Sequence, residues 1–164
     1  MDFTSQRSLN LIAFFICAGL LAYAFYTQFY AGLEPCPLCI LQRTVMFALG
    51  GVFLLAAAHH PHKWGGRLYA ALIALTALTG AVISARHVWL QNLPPDQMPE
   101  CGPNLSYMLD VFPLTETLRM VFMGSGECAS IDWMFLGLSM PAWVLLWFVL
   151  LGMTGVLVNW RPRA

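Results

Sequence analysis

The stretch Pro35-Cys36-Pro37-Leu38-Cys39 is the part of this sequence best suited to chemistry. A disulfide across C-x-x-C closes a very small loop, so it removes little chain entropy and stabilises weakly. As a redox couple it is better suited, because strained, accessible disulfides are easily reduced and reformed. Arg43 follows Cys39 by one helical turn, which lets the two share a helix face. A cation there favours a thiolate. Three more cysteines remain: Cys17, Cys101 and Cys128. Cys17 lies in a long apolar stretch, where a cysteine is usually a small inert hydrophobe.

Cys36, Cys39, Cys101 and Cys128 have three readings. Structural disulfides are one. A zinc site is the second, but zinc sites usually offer two close pairs. Here Cys101 and Cys128 are separated by 26 residues with no histidine between them, so no metal site is expected. Redox catalysis is the third, and the C-x-x-C favours it.

These residues need a scaffold, and composition says which. Of 164 residues, 59% are hydrophobic and only 10% charged, against about a quarter charged in a soluble domain. The mean hydropathy is +0.69. Lipid is the expected solvent for such a chain. The formal net charge is zero, which offers nothing to nucleic acid. Four stretches lack Lys, Arg, Asp and Glu, and each is continuously apolar, so helices are expected rather than strands. The expected spans are about 9–28, 42–60, 68–88 and 139–159, in a single transmembrane domain over 1–164. The fold class is all-α: a four-helix transmembrane bundle with a short first outer loop (about 29–41) and a long second one (about 89–138). Cys39 then stands at the N-terminal end of the second span, where the helix dipole favours an anion.

Charge sets the orientation. Arg7, Lys63, Arg67, Arg161 and Arg163 fall on one side, and Arg43, Arg86 and Arg119 on the other. The positive-inside rule makes the first side, with both termini, cytoplasmic. The four redox candidates then face outward. Ala22-Tyr23-Ala24 resembles a signal-peptide cleavage site, but the apolar run before it is longer than the usual core region. In the second loop, Leu105 to Met123 shows helical apolar spacing interrupted by Pro113. A short membrane-surface helix, or one packed on the bundle, is expected there. The stretch from Asn92 to Pro103 is proline-rich and expected to be extended. Gly50, Gly51 and Gly80 allow close helix contact or border a ligand. His59, His60 and His62 are expected to be a polar turn.

A dithiol that is reoxidised in a membrane must send its electrons somewhere. No haem motif, dinucleotide fingerprint or iron–sulfur spacing is present. A lipid-soluble quinone is the economical acceptor, with Arg43 and His87 at outer span ends as donors to its oxygens. Arg86 is a weaker candidate that could simply anchor its helix.

The chain resembles the DsbB family of disulfide bond formation proteins over nearly its whole length. The resemblance rests on Pro35 to Arg43 (PCPLCILQR), Arg86 to Gln91 (RHVWLQ), Cys101, Gly126-Glu127-Cys128, Trp133 and Phe135 to Trp143 (FLGLSMPAW). It implies a bacterial inner-membrane thiol:quinone oxidoreductase. Cys101 and Cys128 would form the pair that oxidises a DsbA-like periplasmic thiol oxidase, with Cys101 forming the mixed disulfide. Electrons would pass to Cys36–Cys39, Cys36 exchanging with the loop pair and Cys39 reacting with the quinone. Arg43 and His87 would be quinone-site residues. The quinone would be ubiquinone or menaquinone.

Two other functions compete. A vitamin K epoxide reductase-like enzyme also has four helices, but its C-x-x-C falls in the last span. A membrane scaffold with structural disulfides predicts no polar group inside the bundle, and Arg43 beside Cys39 speaks against it.

Overall fold

The computed structural model describes residues 5–59, 63–94, 105–124, 126–131 and 133–160. Its elements are α1 (Gln6–Tyr30), α2 (Pro37–His59), α3 (Lys63–Gln91), α4 (Leu105–Val111), α5 (Leu114–Met123), α6 (Gly126–Ala129), β1 (Met134–Phe135), β2 (Leu138–Ser139) and α7 (Met140–Trp160). Four of these, α1, α2, α3 and α7, are long and apolar enough to cross a membrane. The chain is an all-α, four-helix, multi-pass membrane protein. In lipid a helix satisfies every backbone N–H and C=O internally, which is why continuously apolar segments take this form.

The helices reach past the apolar stretches that mark the spans. α2 begins at Pro37 rather than near residue 42, and α3 runs from Lys63 to Gln91. A helix need not end where the hydrocarbon ends, because its hydrogen bonds continue in water. The extra turns bring Cys39 into the first turn of α2 and Trp89, Leu90 and Gln91 into α3.

α3 packs along α7, α1 along α2 and α2 along α3, with lighter contact between α1 and α7. Leu49, Phe53, Ile73, Phe148 and Leu151 fill the middle of the bundle. Small residues permit the close approach. A Cβ at Gly80 would lie 2.3 Å from the Phe148 ring, and one at Gly50 would lie 3.2 Å from Cys17 Cβ. Gly51 instead faces open space, so only one of that glycine pair serves packing. Cys17, buried against Gly50, is part of this core. Large apolar side chains such as Phe15, Leu75, Leu78 and Met153 point outward, as a lipid-facing surface requires.

Two polar clasps close the end of the bundle where α1 begins and α7 ends. The Asn10 and Asn159 amides donate to each other's oxygens at 3.1 and 3.0 Å, and Gln6 Nε2 donates to Asn159 Oδ1 at 2.9 Å. Both asparagines are buried. His59 Nδ1 pairs with the Tyr69 hydroxyl, joining α2 to α3. His60 and His62 lie outside the described residues.

At the opposite end a second cluster roofs the bundle. Leu38 of α2 and Ile83 and Leu90 of α3 pack with Met108 of α4, Val121 of α5 and Cys128 of α6. α4 and α5 lie on either side of Pro113, which precedes the first residue of α5. The Thr117 hydroxyl donates to Met108 O at 3.1 Å and holds the two together. Arg86 fastens α5 from below. Its Nε donates to Phe122 O at 3.1 Å and its Nη2 to Met123 O at 3.2 Å. A cation on the last carbonyls of a helix also complements its dipole. Arg86 is therefore an anchor. A β1–β2 hairpin, pairing Met134 with Ser139 and Phe135 with Leu138, leads into α7.

Candidate functional site

The C-terminal end of α1 turns the chain toward α2 through Gly32, whose φ of +66° suits a residue without Cβ. Cys36 then caps α2, its carbonyl accepting the Ile40 N–H at 3.2 Å. Pro37 takes the first helical position, where its fixed φ is preset and no N–H is missed. This places Cys36 just ahead of the helix and Cys39 inside its first turn. Cys36 Sγ donates to Cys39 Sγ at 3.2 Å, and no bond joins them.

The fold brings two further groups to Cys36. His87, near the end of α3, points Nε2 at Cys36 Sγ from 3.7 Å. Cys128 arrives from α6. The Cys36 and Cys128 sulfurs and a His87 ring nitrogen all lie within 4.8 Å of one another, and all three residues are buried. Behind His87, the Gln42 amide meets Nδ1 at 3.2 Å and is itself buried. Gln42 stands three residues after Cys39 on α2, so one helix turn presents both the sulfur and the group that orients the imidazole.

Arg43, the next residue, turns toward α1. Its Nη2 donates to Ala24 O at 3.0 Å and its Nη1 to Gln28 Oε1, and the guanidinium lies 5.2 Å from the Phe25 ring centre. These contacts aim the cation along one wall of a cleft of about 840 Å³. Cys36, Cys39, Arg43 and His87 all line that cleft, with Met46, Trp133 and Met140 among its apolar walls. Gln91 Nε2 donates to Ser130 O at 3.3 Å and its Oε1 accepts from the Ser139 hydroxyl at 2.6 Å. That pair of bonds pins the segment after Cys128 to α3 and to the start of α7.

Of the six residues singled out in the sequence, five converge here: Cys36, Cys39, Arg43, His87 and Cys128. The sixth, Cys101, lies outside the described residues. Gln42 and Gln28 belong to the site but lie outside that set. Their signal was faint but present: Gln42 is a polar residue at helical spacing from Cys39 inside an apolar span.

The family model described as "Disulfide bond formation protein DsbB" matches residues 6–158. The chain belongs to the DsbB family. Among curated relatives, "Disulfide bond formation protein B" of Nitrosococcus oceani is 57% identical over 148 residues, covering 90% of this chain and 88% of the relative. That of Methylococcus capsulatus is 56% identical over 163 residues, 99% of each chain. That of Hahella chejuensis is 48% identical over 162 residues, 97% of each. Membership supports a disulfide-forming redox function for this DsbB-family chain, and a thiol cluster at one end of a membrane bundle is the chemistry such a function needs.

Proposed function

We propose that this chain oxidises a DsbA-like periplasmic thiol oxidase and delivers the electron pair to a membrane quinone. It works in the bacterial inner membrane with both termini cytoplasmic. The observation that carries the reading is the meeting of Cys36 with both Cys39 and Cys128 beside a large cleft. Thiol–disulfide exchange needs such contact, since each step is an attack of one sulfur on another.

The oxidised protein starts with Cys101–Cys128 and Cys36–Cys39 disulfides. The partner's first thiolate attacks Cys101, and Cys128 leaves. The partner's second thiolate displaces Cys101, so the partner is oxidised and the loop pair is reduced. Cys128 then attacks Cys36, Cys39 leaves, and Cys101 displaces Cys36 from Cys128. The electron pair and its two protons now reside on Cys36 and Cys39. Bound ubiquinone or menaquinone would supply an acceptor for two electrons and two protons. The cleft, at about 840 Å³, falls within the usual range of about 300–1,000 Å³ for ligand pockets. Arg43 and His87 offer it N–H donors suited to carbonyl oxygens, and Cys39 offers the sulfur. The exposed apolar residues of α5, Leu114, Leu118 and Phe122, support a seat for that helix at the membrane surface.

The experiment mixes purified protein, reduced DsbA-like partner and quinone, and follows quinone absorbance. Turnover is expected, and none in Cys39→Ser. Continued quinone reduction by that variant would sink the reading.

A further inference from the structure

The cysteine spacing in the sequence speaks against a metal, because the loop pair is wide and has no histidine between its members. The fold supplies what the spacing lacks. Cys36 comes from the segment before α2, His87 from α3 and Cys128 from α6, and their donor atoms lie within 4.8 Å of one another. In a tetrahedral zinc site, Zn–S of ~2.3 Å and Zn–N of ~2.0–2.1 Å set S···N edges of about 3.6 Å and S···S edges of about 3.8 Å. The Cys36–His87 edge is 3.7 Å. The other two edges, each at most 4.8 Å, need to close by no more than about 1.2 Å to reach those values.

Three further features fit a cation. Gln42 stands on His87 Nδ1 at 3.2 Å, the place of the outer partner that fixes a ligating histidine. A Gln amide can present its oxygen there as readily as its nitrogen, which leaves Nε2 as the ligand atom. Two thiolates and one divalent cation sum to zero charge, the arrangement a buried site tolerates. Sulfur and imidazole donors select zinc-class ions over magnesium or calcium. The cleft beside Cys36 and His87 gives the ion a way in and leaves a fourth position for water.

We propose that the fully reduced protein binds one zinc-class divalent cation through Cys36, His87 and Cys128. Binding moves no electrons: two thiols lose their protons and two metal–sulfur bonds form. Any disulfide at Cys36 or Cys128 removes a ligand, so the site exists only in the reduced state. While it is filled, Cys128 and Cys36 are withheld from exchange. The site goes beyond the proposed electron transfer, and it is measured without partner or quinone. Its failure therefore leaves that reading standing.

The test titrates Co²⁺, a coloured stand-in for zinc, into the full-length protein in detergent under anaerobic conditions. Fully reduced protein should bind one equivalent with thiolate-to-cobalt charge-transfer absorption, and Zn²⁺ should displace it. Oxidised protein should give no such absorption. Cys128→Ser and His87→Phe should each weaken binding by at least ~10-fold, and Gln42→Leu by ~10–100-fold. Cys39→Ser should bind as the parent does. The proposal is overturned if reduced protein binds nothing, or if oxidised protein binds equally. It is also overturned if binding survives Cys128→Ser but is lost in Cys39→Ser, which would mark simple chelation by the C-x-x-C. The comparison of reduced with oxidised parent protein stands even if a variant fails to fold.

Discussion

Gln42 of α2 and His87 of α3 meet at 3.2 Å inside the end of the bundle that α4, α5 and α6 cover, and their contact turns the far side of the imidazole toward Cys36. Two helices are thus joined through the ring that touches Cys36. Both side chains are buried.

Gln42→Leu should therefore cost stability as well as speed. Removing one partner of a buried pair leaves the other unsatisfied, at about 1–3 kcal/mol. Loss of a fixed ring orientation should slow exchange between the cysteine pairs, and each ~1.4 kcal/mol in the barrier is tenfold in rate. Thermal unfolding and rapid trapping of thiols by alkylation measure the two effects separately. Unchanged exchange in a folded variant would mean that the contact is only structural.

Arg43→His should act on a different step. Arg43 donates to Ala24 and Gln28 of α1, and it lines the cleft. Shortening it should raise the KM for quinone by roughly tenfold, the effect of about 1.4 kcal/mol of lost binding. Exchange between cysteine pairs should change less. Steady-state kinetics at varied quinone, set beside single-turnover exchange, would refute this if only the dithiol step slowed.

Arg86→Ala should loosen the roof without emptying the site. Its two bonds hold the final carbonyls of α5, and its cation lies 4.1 Å from the Trp89 ring centre. Without it the last turn of α5 should open more often. Amide hydrogen exchange at Val121 to Met123 should rise, while exchange in α2 stays as it was. Equal protection in parent and variant would show that packing of Val121 alone keeps the helix down.

Some of this architecture could be read from one sequence. Four uncharged apolar runs are visible without a structure because lipid imposes a length and a composition. Cys36 and Cys39 stand out as candidates because C-x-x-C makes a poor staple, and Arg43 because a cation in a span is costly. The approach of Cys128 to Cys36 is another matter. It depends on how α4, α5 and α6 fold back over α2 and α3, and no local periodicity records that closure. Gln42 was hidden for a related reason: its value lies in a partner 45 residues away, and a lone glutamine in an apolar helix carries no mark of its partner. Helix ends were also illegible, since the loss of apolar character says where lipid stops, whereas hydrogen bonding says where the helix stops.

Gly80 shows how closely the core of this bundle is set by one missing atom. A Cβ there would meet the Phe148 ring at 2.3 Å, and Phe148 is fully buried, so the ring has little room to retreat. Gly80→Ala should therefore destabilise by about 1–3 kcal/mol, the usual cost of overpacking, although alanine is the better helix former. Phe148→Leu opens space and should itself cost stability through lost packing. Combined, the two changes should cost less than the sum of the singles, because the new methyl occupies the space that the ring gave up. Denaturation of all four proteins in the same detergent closes the cycle. Simple additivity would mean that α3 and α7 separate to admit the methyl, and that the contact between them is not rigid at this level.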